Sequence, residues 1–181
     1  MKILHLTQKD FSLGNWSGGS TAQLYIYPES GDYATRQFAL RISSATVRIP
    51  ESDFTPLTGV ERWITPLTGG FTLTHPGAHP VVMSPMDAPY RFSGGIPTHC
   101  VGEATDFNLM LKGITGEMAI CRETAPVLPG LNAYYPVEEM TLAMDGQIWP
   151  MNAGELLVIF AEEENRLNLT EGALIRCYGN I

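Results

Sequence analysis

Short runs rich in Val, Ile, Thr, Phe and Tyr recur from one end of the chain to the other, set apart by glycines and prolines. There are 18 Gly and 13 Pro in 181 residues, and helical signals are few and short. Residues branched at Cβ pack well on a pleated surface, while Gly and Pro mark turns, so the pattern belongs to an all-β protein. Strands are predicted at 22–27, 37–49, 62–67, 70–75, 80–84, 90–92, 98–102, 106–113, 117–123, 139–144, 154–160 and 172–179. That many short strands build a sandwich or a barrel rather than an open sheet. The Pro-rich segment "RETAPVLPGLNAYYPVEEM" (122–140) reads as a loop on one rim, and "AEEEN" (161–165) as a solvated turn.

Charge removes whole classes of partner. With 11 basic and 19 acidic residues the formal net charge is −8. Such a chain repels nucleic acid and anionic membrane, so neither is expected as a partner. The N-terminus has no secretory h-region, and no window approaches the roughly 20 apolar residues of a membrane span. Cys100, Cys121 and Cys177 are odd in number and widely spaced, which suits buried thiols in a reducing cytoplasm.

Side chains alternate along a strand, so parity sorts them into faces. In the longest run Phe38, Leu40, Ile42, Ser44 and Thr46 oppose Ala39, Arg41, Ser43, Ala45 and Val47. In "DFNLML", Phe107, Leu109 and Leu111 oppose Asp106, Asn108 and Met110. In "TAQLYIY", Ala22, Leu24 and Ile26 oppose Thr21, Gln23, Tyr25 and Tyr27. Parity alone leaves these polar faces either in solvent or around a cavity. Two features favour the cavity. Arg41 is isolated among small residues, and an Asp and an Asn flank a Phe where a solvent face would carry Lys, Thr or Glu. A buried charge needs a partner, and Asp106 is the nearest candidate for Arg41.

"GNWSGGSTAQLYIYP" (14–28) precedes one of these strands. Its glycines let backbone come close to a ligand, and the hydroxyls of Ser17, Ser20 and Thr21 can donate to a carboxylate. It lacks the Lys and the following helix of a phosphate-binding loop. The competing reading is a turn and nothing more.

Segments 66–92 and 142–160 share a rhythm of strand, Gly turn, strand and Met-containing turn, and turns such as "NAGE" and "MDAP" resemble those of cupin β-barrels. More specifically, "WSGGSTAQLYIYP", "FALRISSATV", "SDFTPLTGVERWITPLTGG" and "FSGG" through "DFNLMLKG" follow one another in an order that resembles the HutD/Ves family. The resemblance covers residues 11–113 well and the second half loosely. It implies a cupin-superfamily bicupin, a double-stranded β-helix barrel in two halves, placed here at 30–113 and 114–181 with 1–29 joining the sheets. It implies no demonstrated reaction. Some members accompany histidine-utilisation enzymes and are thought to sense or buffer urocanate or formiminoglutamate; others are stress-associated. Many relatives carry an Asn between the Trp and the glycines, whereas this chain has Asn15 before Trp16, so a contact made by that Asn is not carried over.

The expected function is therefore non-enzymatic binding of a small polar, carboxylate-bearing metabolite, with no cofactor. Arg41 neutralises the anion, and Ser43, Thr21 and Asn108 supply hydrogen bonds. Asp106 orients Arg41 or meets a ligand N–H. Trp16, Ser20 and a second cation, Arg62, complete the set. The alternative is a metal-dependent cupin isomerase or dioxygenase. Against it, His75 and His79 flank a Pro-Gly turn, and only His5 and His99 remain as further imidazoles. His99 and Cys100 are adjacent on a strand, point to opposite faces and cannot pair as base and nucleophile. Open sheet edges make a homodimer a plausible assembly.

Overall fold

The computed structural model describes residues Met1–Ile181 and is built almost wholly of strands. The chain forms two compact units, one of Ser12–Gly113 and one of Met1–Phe11 with Ile114–Ile181. Strands are numbered β1–β19 in chain order. No helix is long and apolar enough to cross a membrane.

In the Ser12–Gly113 unit, one sheet has the order β2 (Ser12–Trp16), β3 (Gly19–Tyr27), β4 (Leu40–Val47), β11 (Ala104–Lys112), β6 (Val60–Gly69) and β9 (Tyr90–Ser93). The other has the order β5 (Glu51–Asp53), β10 (His99–Val101), β7 (Phe71–Thr74) and β8 (Val81–Met83). Ile64, Phe92 and Ala104 from the first sheet and Phe71, Leu73, Met83 and Cys100 from the second form one core, so the sheets are packed layers. In the other unit, β1 (Lys2–Leu6), β17 (Leu156–Ala161), β14 (Gly130–Pro136), β19 (Leu174–Gly179) and β12 (Gly116–Cys121) form one sheet. β13 (Thr124–Val127), β18 (Asn165–Leu169), β15 (Met140–Met144) and β16 (Gln147–Met151) form the second. Its core is dense hydrocarbon, with Leu142, Leu157, Ile159, Leu167 and Leu174 fully buried. The expected barrels are not closed ones: in each unit the strand pairing stops at the sheet edges.

Each predicted strand has a counterpart, and seven strands were not predicted: β1, β2, β5, β13, β14, β16 and β18. The rim loop expected at 122–140 is instead β13 and β14, and β14 is a central strand. Its prolines are tolerated because Pro126 lies on an edge strand paired only with β18, and Pro136 is the last residue of β14. Cys100 and Cys177 are buried as expected, while Cys121 is only half-buried; all three are free thiols.

The 14–28 segment is neither a free loop nor a bare turn. It is a hairpin, β2 paired to β3 with Trp16 opposite Gly19. One glycine is forced here. A Cβ on Gly19 would sit 1.9 Å from the Thr46 carbonyl oxygen on β4, whereas one on Gly18 would meet only the ends of side chains, the Trp16 ring at 2.1 Å and Ile49. Gly19→Ala is therefore expected to part β3 from β4 locally and to cost about 2 kcal/mol, read as a lower urea midpoint at unchanged m-value.

Candidate functional site

The register of four strands lays out the site in rows. Ile26, Arg41, Met110 and Arg62 are opposite one another across β3, β4, β11 and β6. The next row is Gln23, Ser43, Asn108 and Ile64, and the one beyond is Thr21, Ala45, Asp106 and Pro66. Opposed residues share a face, so one face of the sheet carries every one of these side chains. Leu40, Ile42, Phe107, Leu109 and Leu111 take the other face, as parity required.

Two bulges interrupt this parity. One at Leu24 shifts the pairing between Gln23 and Tyr25, so Ile26 rather than Tyr25 stands beside Arg41. Tyr25 and Tyr27, expected on the face of Thr21 and Gln23, are turned to the other. A second shift between Thr105 and Asp106 leaves Leu67 unpaired.

The rows line a cavity of about 610 Å³ within this unit. Thr21, Arg41, Ser43, Arg62, Asp106, Asn108 and Trp16 all border it. Ser20 does not: it is opposite Thr46, on the other face from Thr21, so its hydroxyl is turned away. Gln23, Tyr33, Phe54 and Met110 also border the cavity and were not singled out by sequence reasoning. Gln23 was legible by parity. Tyr33 and Phe54 lie outside regular strands, where no periodicity marks them.

Arg41 is 6% exposed, yet no carboxylate pairs with it. Its Nε donates to Gln23 Oε1 at 2.8 Å and its Nη1 to Ser43 Oγ at 3.0 Å. Its guanidinium lies 4.0 Å from the centre of the Tyr33 ring. Burial, with Arg62 and Arg36 nearby, lowers its pKa to about 10, against the opposing pull of Tyr33. Arg62, 7% exposed, donates from Nη2 to Asn108 Oδ1 at 2.9 Å and sits over Phe54 and Phe92. Its Nε is buried with no partner, and burial pushes its pKa down. The expected Arg41–Asp106 contact is absent: Asp106 lies two rows from Arg41 and is linked to Arg62 through Asn108, whose Nδ2 donates to Asp106 Oδ1. The reason is the antiparallel register, which sets Arg41 opposite Met110 instead.

Asp106 is 5% exposed, and burial raises its pKa to about 7. Arg62, the Ala45 amide and Asn108 pull the other way without cancelling the desolvation.

A family model described as HutD matches residues 8–175. The chain belongs to the HutD family. Among solved structures, the chain is similar to the conserved protein of unknown function PA5104 from Pseudomonas aeruginosa PAO1, at TM-score 0.88 and 20% identity over 100% of both chains. It is also similar to HutD from Pseudomonas fluorescens SBW25, solved in a formate condition, at TM-score 0.80 and 20% identity over 99% of this chain and 100% of that one. A more distant likeness is to bacterial pirin YhhW in complex with nickel(II) from Escherichia coli, at TM-score 0.66 and 11% identity over 98% of each chain. No curated protein matches the sequence.

The nickel of that last structure poses a donor question for this HutD-family chain, and its residues do not fit a metal. No three His, Cys, Asp or Glu side chains converge in a ligating cluster. His5 pairs with Glu155, and His99 with Asp53 and Glu51. His79 is exposed. His75, beside the Pro-Gly turn, is buried, its Nδ1 3.2 Å from Thr98 Oγ1 and its ring against Tyr90 and Phe92.

The raised pKa of Asp106 has a consequence for stability. An unfolded carboxyl titrates near its ordinary value of 3.8 and the folded one near 7, so the native state binds the extra proton between them. This group's contribution is therefore most favourable below about pH 4, declines as pH rises to about 7 and is flat above. Asp106→Asn removes the decline. The variant is expected to have a higher Tm than the parent at pH 8 and a smaller difference at pH 4, followed by thermal unfolding across that range.

Proposed function

We propose that the chain is a non-enzymatic binding or regulatory protein for a small polar, carboxylate-bearing metabolite. The observation that carries this reading is Arg41: a guanidinium buried at a cavity wall whose hydrogen-bond partners are all neutral. Taking a guanidinium out of water is costly unless an anion compensates it. The neighbouring Arg62 adds a second cation without an ion pair. Two forked donors on one wall match the geometry of a carboxylate.

Membership of the HutD family suggests a role linked to histidine utilisation. Urocanate and formiminoglutamate are the first ligands to try. We also read the two units as two cupin-like halves of a bicupin, with the ligand site built from Ser12–Gly113. A cytoplasmic location is in keeping with three free thiols, and a homodimer is the assembly to look for first. The metal-dependent enzyme reading gains no support from the donor set.

Arg41→Met keeps most of the side-chain volume and removes the charge. It is expected to fold with equal or greater stability, because a buried unpaired cation is gone. It is also expected to lose the ligand-induced rise in Tm that urocanate, formiminoglutamate or another small carboxylate gives the parent protein. A rise that survives in Arg41→Met would sink the proposal.

A further inference from the structure

The two guanidiniums converge on one row of the sheet. Arg41 and Arg62 belong to the row of Met110, yet Arg41 reaches Ser43 and Arg62 reaches Asn108, which are opposite one another in the next row. An anion held by both cations therefore sits over the Ser43–Asn108 row. The following row is two residues along β11, about 7 Å away at roughly 3.4 Å per residue. Asp106 stands in that row, at the cavity wall.

One oxygen of Asp106 is already engaged. Oδ1 accepts from the Ala45 amide at 3.3 Å and from Asn108 Nδ2. Its other oxygen has no protein donor, and it is not among the atoms sealed away from solvent without a partner. Neither arginine forms an ion pair with it. A carboxylate only accepts hydrogen bonds, so this free oxygen repels a second ligand carboxylate and welcomes an N–H or O–H. Asp32 and Asp53 border the cavity as well, engaged with Ala34 and Thr35 and with His99, so a second ligand carboxylate would meet further negative charge.

We infer that the site takes a monocarboxylate carrying a hydrogen-bond donor a short spacer away from the acid, with the donor meeting Asp106, and that it discriminates against dicarboxylates; of the two metabolites named above it then favours urocanate, because formiminoglutamate carries two carboxylates. This rests on the carboxylate-binding reading above and extends it to the far pole of the ligand. Asp106 is then a specificity residue, and its isosteric variant has a directional effect. In Asp106→Asn the side-chain oxygen stays on the Ala45 and Asn108 donors, which turns the amide NH2 to the cavity. The free position becomes a donor, and the preference inverts.

The test uses matched probes by calorimetry at pH 8, where Asp106 is ionised. Pyrrole-3-carboxylate is compared with furan-3-carboxylate, and 4-hydroxybutanoate with pentanoate and pentanedioate. The parent protein is expected to bind the donor-bearing member of each set about 10-fold tighter, as a hydrogen bond to a charged group provides. Asp106→Asn is expected to lose that advantage and to gain affinity for pentanedioate, with its fold checked by Tm. Equal binding within each set in both proteins overturns the inference and leaves the carboxylate reading standing. Binding of no carboxylate by the parent overturns both. Retention of the donor preference in Asp106→Asn overturns the role of Asp106.

Discussion

A guanidinium withdrawn from water and left without a counter-anion is the condition around which the Ser12–Gly113 unit is organised. Desolvation of such a cation costs several kcal/mol in a real protein. The unit offsets part of it with what neutral chemistry offers. Gln23 and Ser43 satisfy two donor positions on Arg41, and the Tyr33 ring gives its negative face to the same group. Arg62 has Phe54 and Phe92 below it and Asn108 beside it. No carboxylate completes either set. On the binding reading proposed above, an interior arranged this way is pre-organised for a charge that arrives from outside.

The other unit shows what a finished version looks like. Arg176 is 1% exposed, and it has an ion pair with Glu117 at 2.6 Å, a hydrogen bond to the Pro126 carbonyl at 2.9 Å and Asn132 at 3.5 Å. The same residue type, likewise removed from solvent, is there paired with a carboxylate and set over the Tyr178 ring. Partner chemistry, not burial, distinguishes Arg41 from Arg176, and it is the ground on which we propose Arg41 as the anchor for a ligand.

Much of this was legible in the sequence, for a reason that is physical and local. Alternation is imposed by the pleat, so Arg41, Ser43, Asp106 and Asn108 could be sorted onto polar faces from position alone. Which strands adjoin is not local. The pairing of Arg41 with Met110, which keeps it from Asp106, follows from the β4–β11 register and is invisible in either strand by itself. The hairpin at 14–28 disguised itself as a loop because its glycines serve close packing under Trp16 and against Thr46 rather than flexibility. Pro126 and Pro136 hid β13 and β14, since a proline rules out a central ladder position and says nothing about an edge or an end. Tyr33 and Phe54, which support the two cations, stand outside any regular element and leave no periodic trace.

The bulge at Leu24 has a reach beyond its own strand. Before it, β3 shows Thr21 and Gln23 to the cavity; after it, Ile26 takes the place beside Arg41 on the same face. One surplus residue thus changes a polar face into an apolar one part-way along a single ribbon, with regular pairing resuming on either side. A relative lacking that residue would present a phenol where this chain presents the sec-butyl side chain of Ile26, directly beside the arginine. Gain or loss of one codon at this point would retune the chamber's chemistry while the architecture stayed as it is.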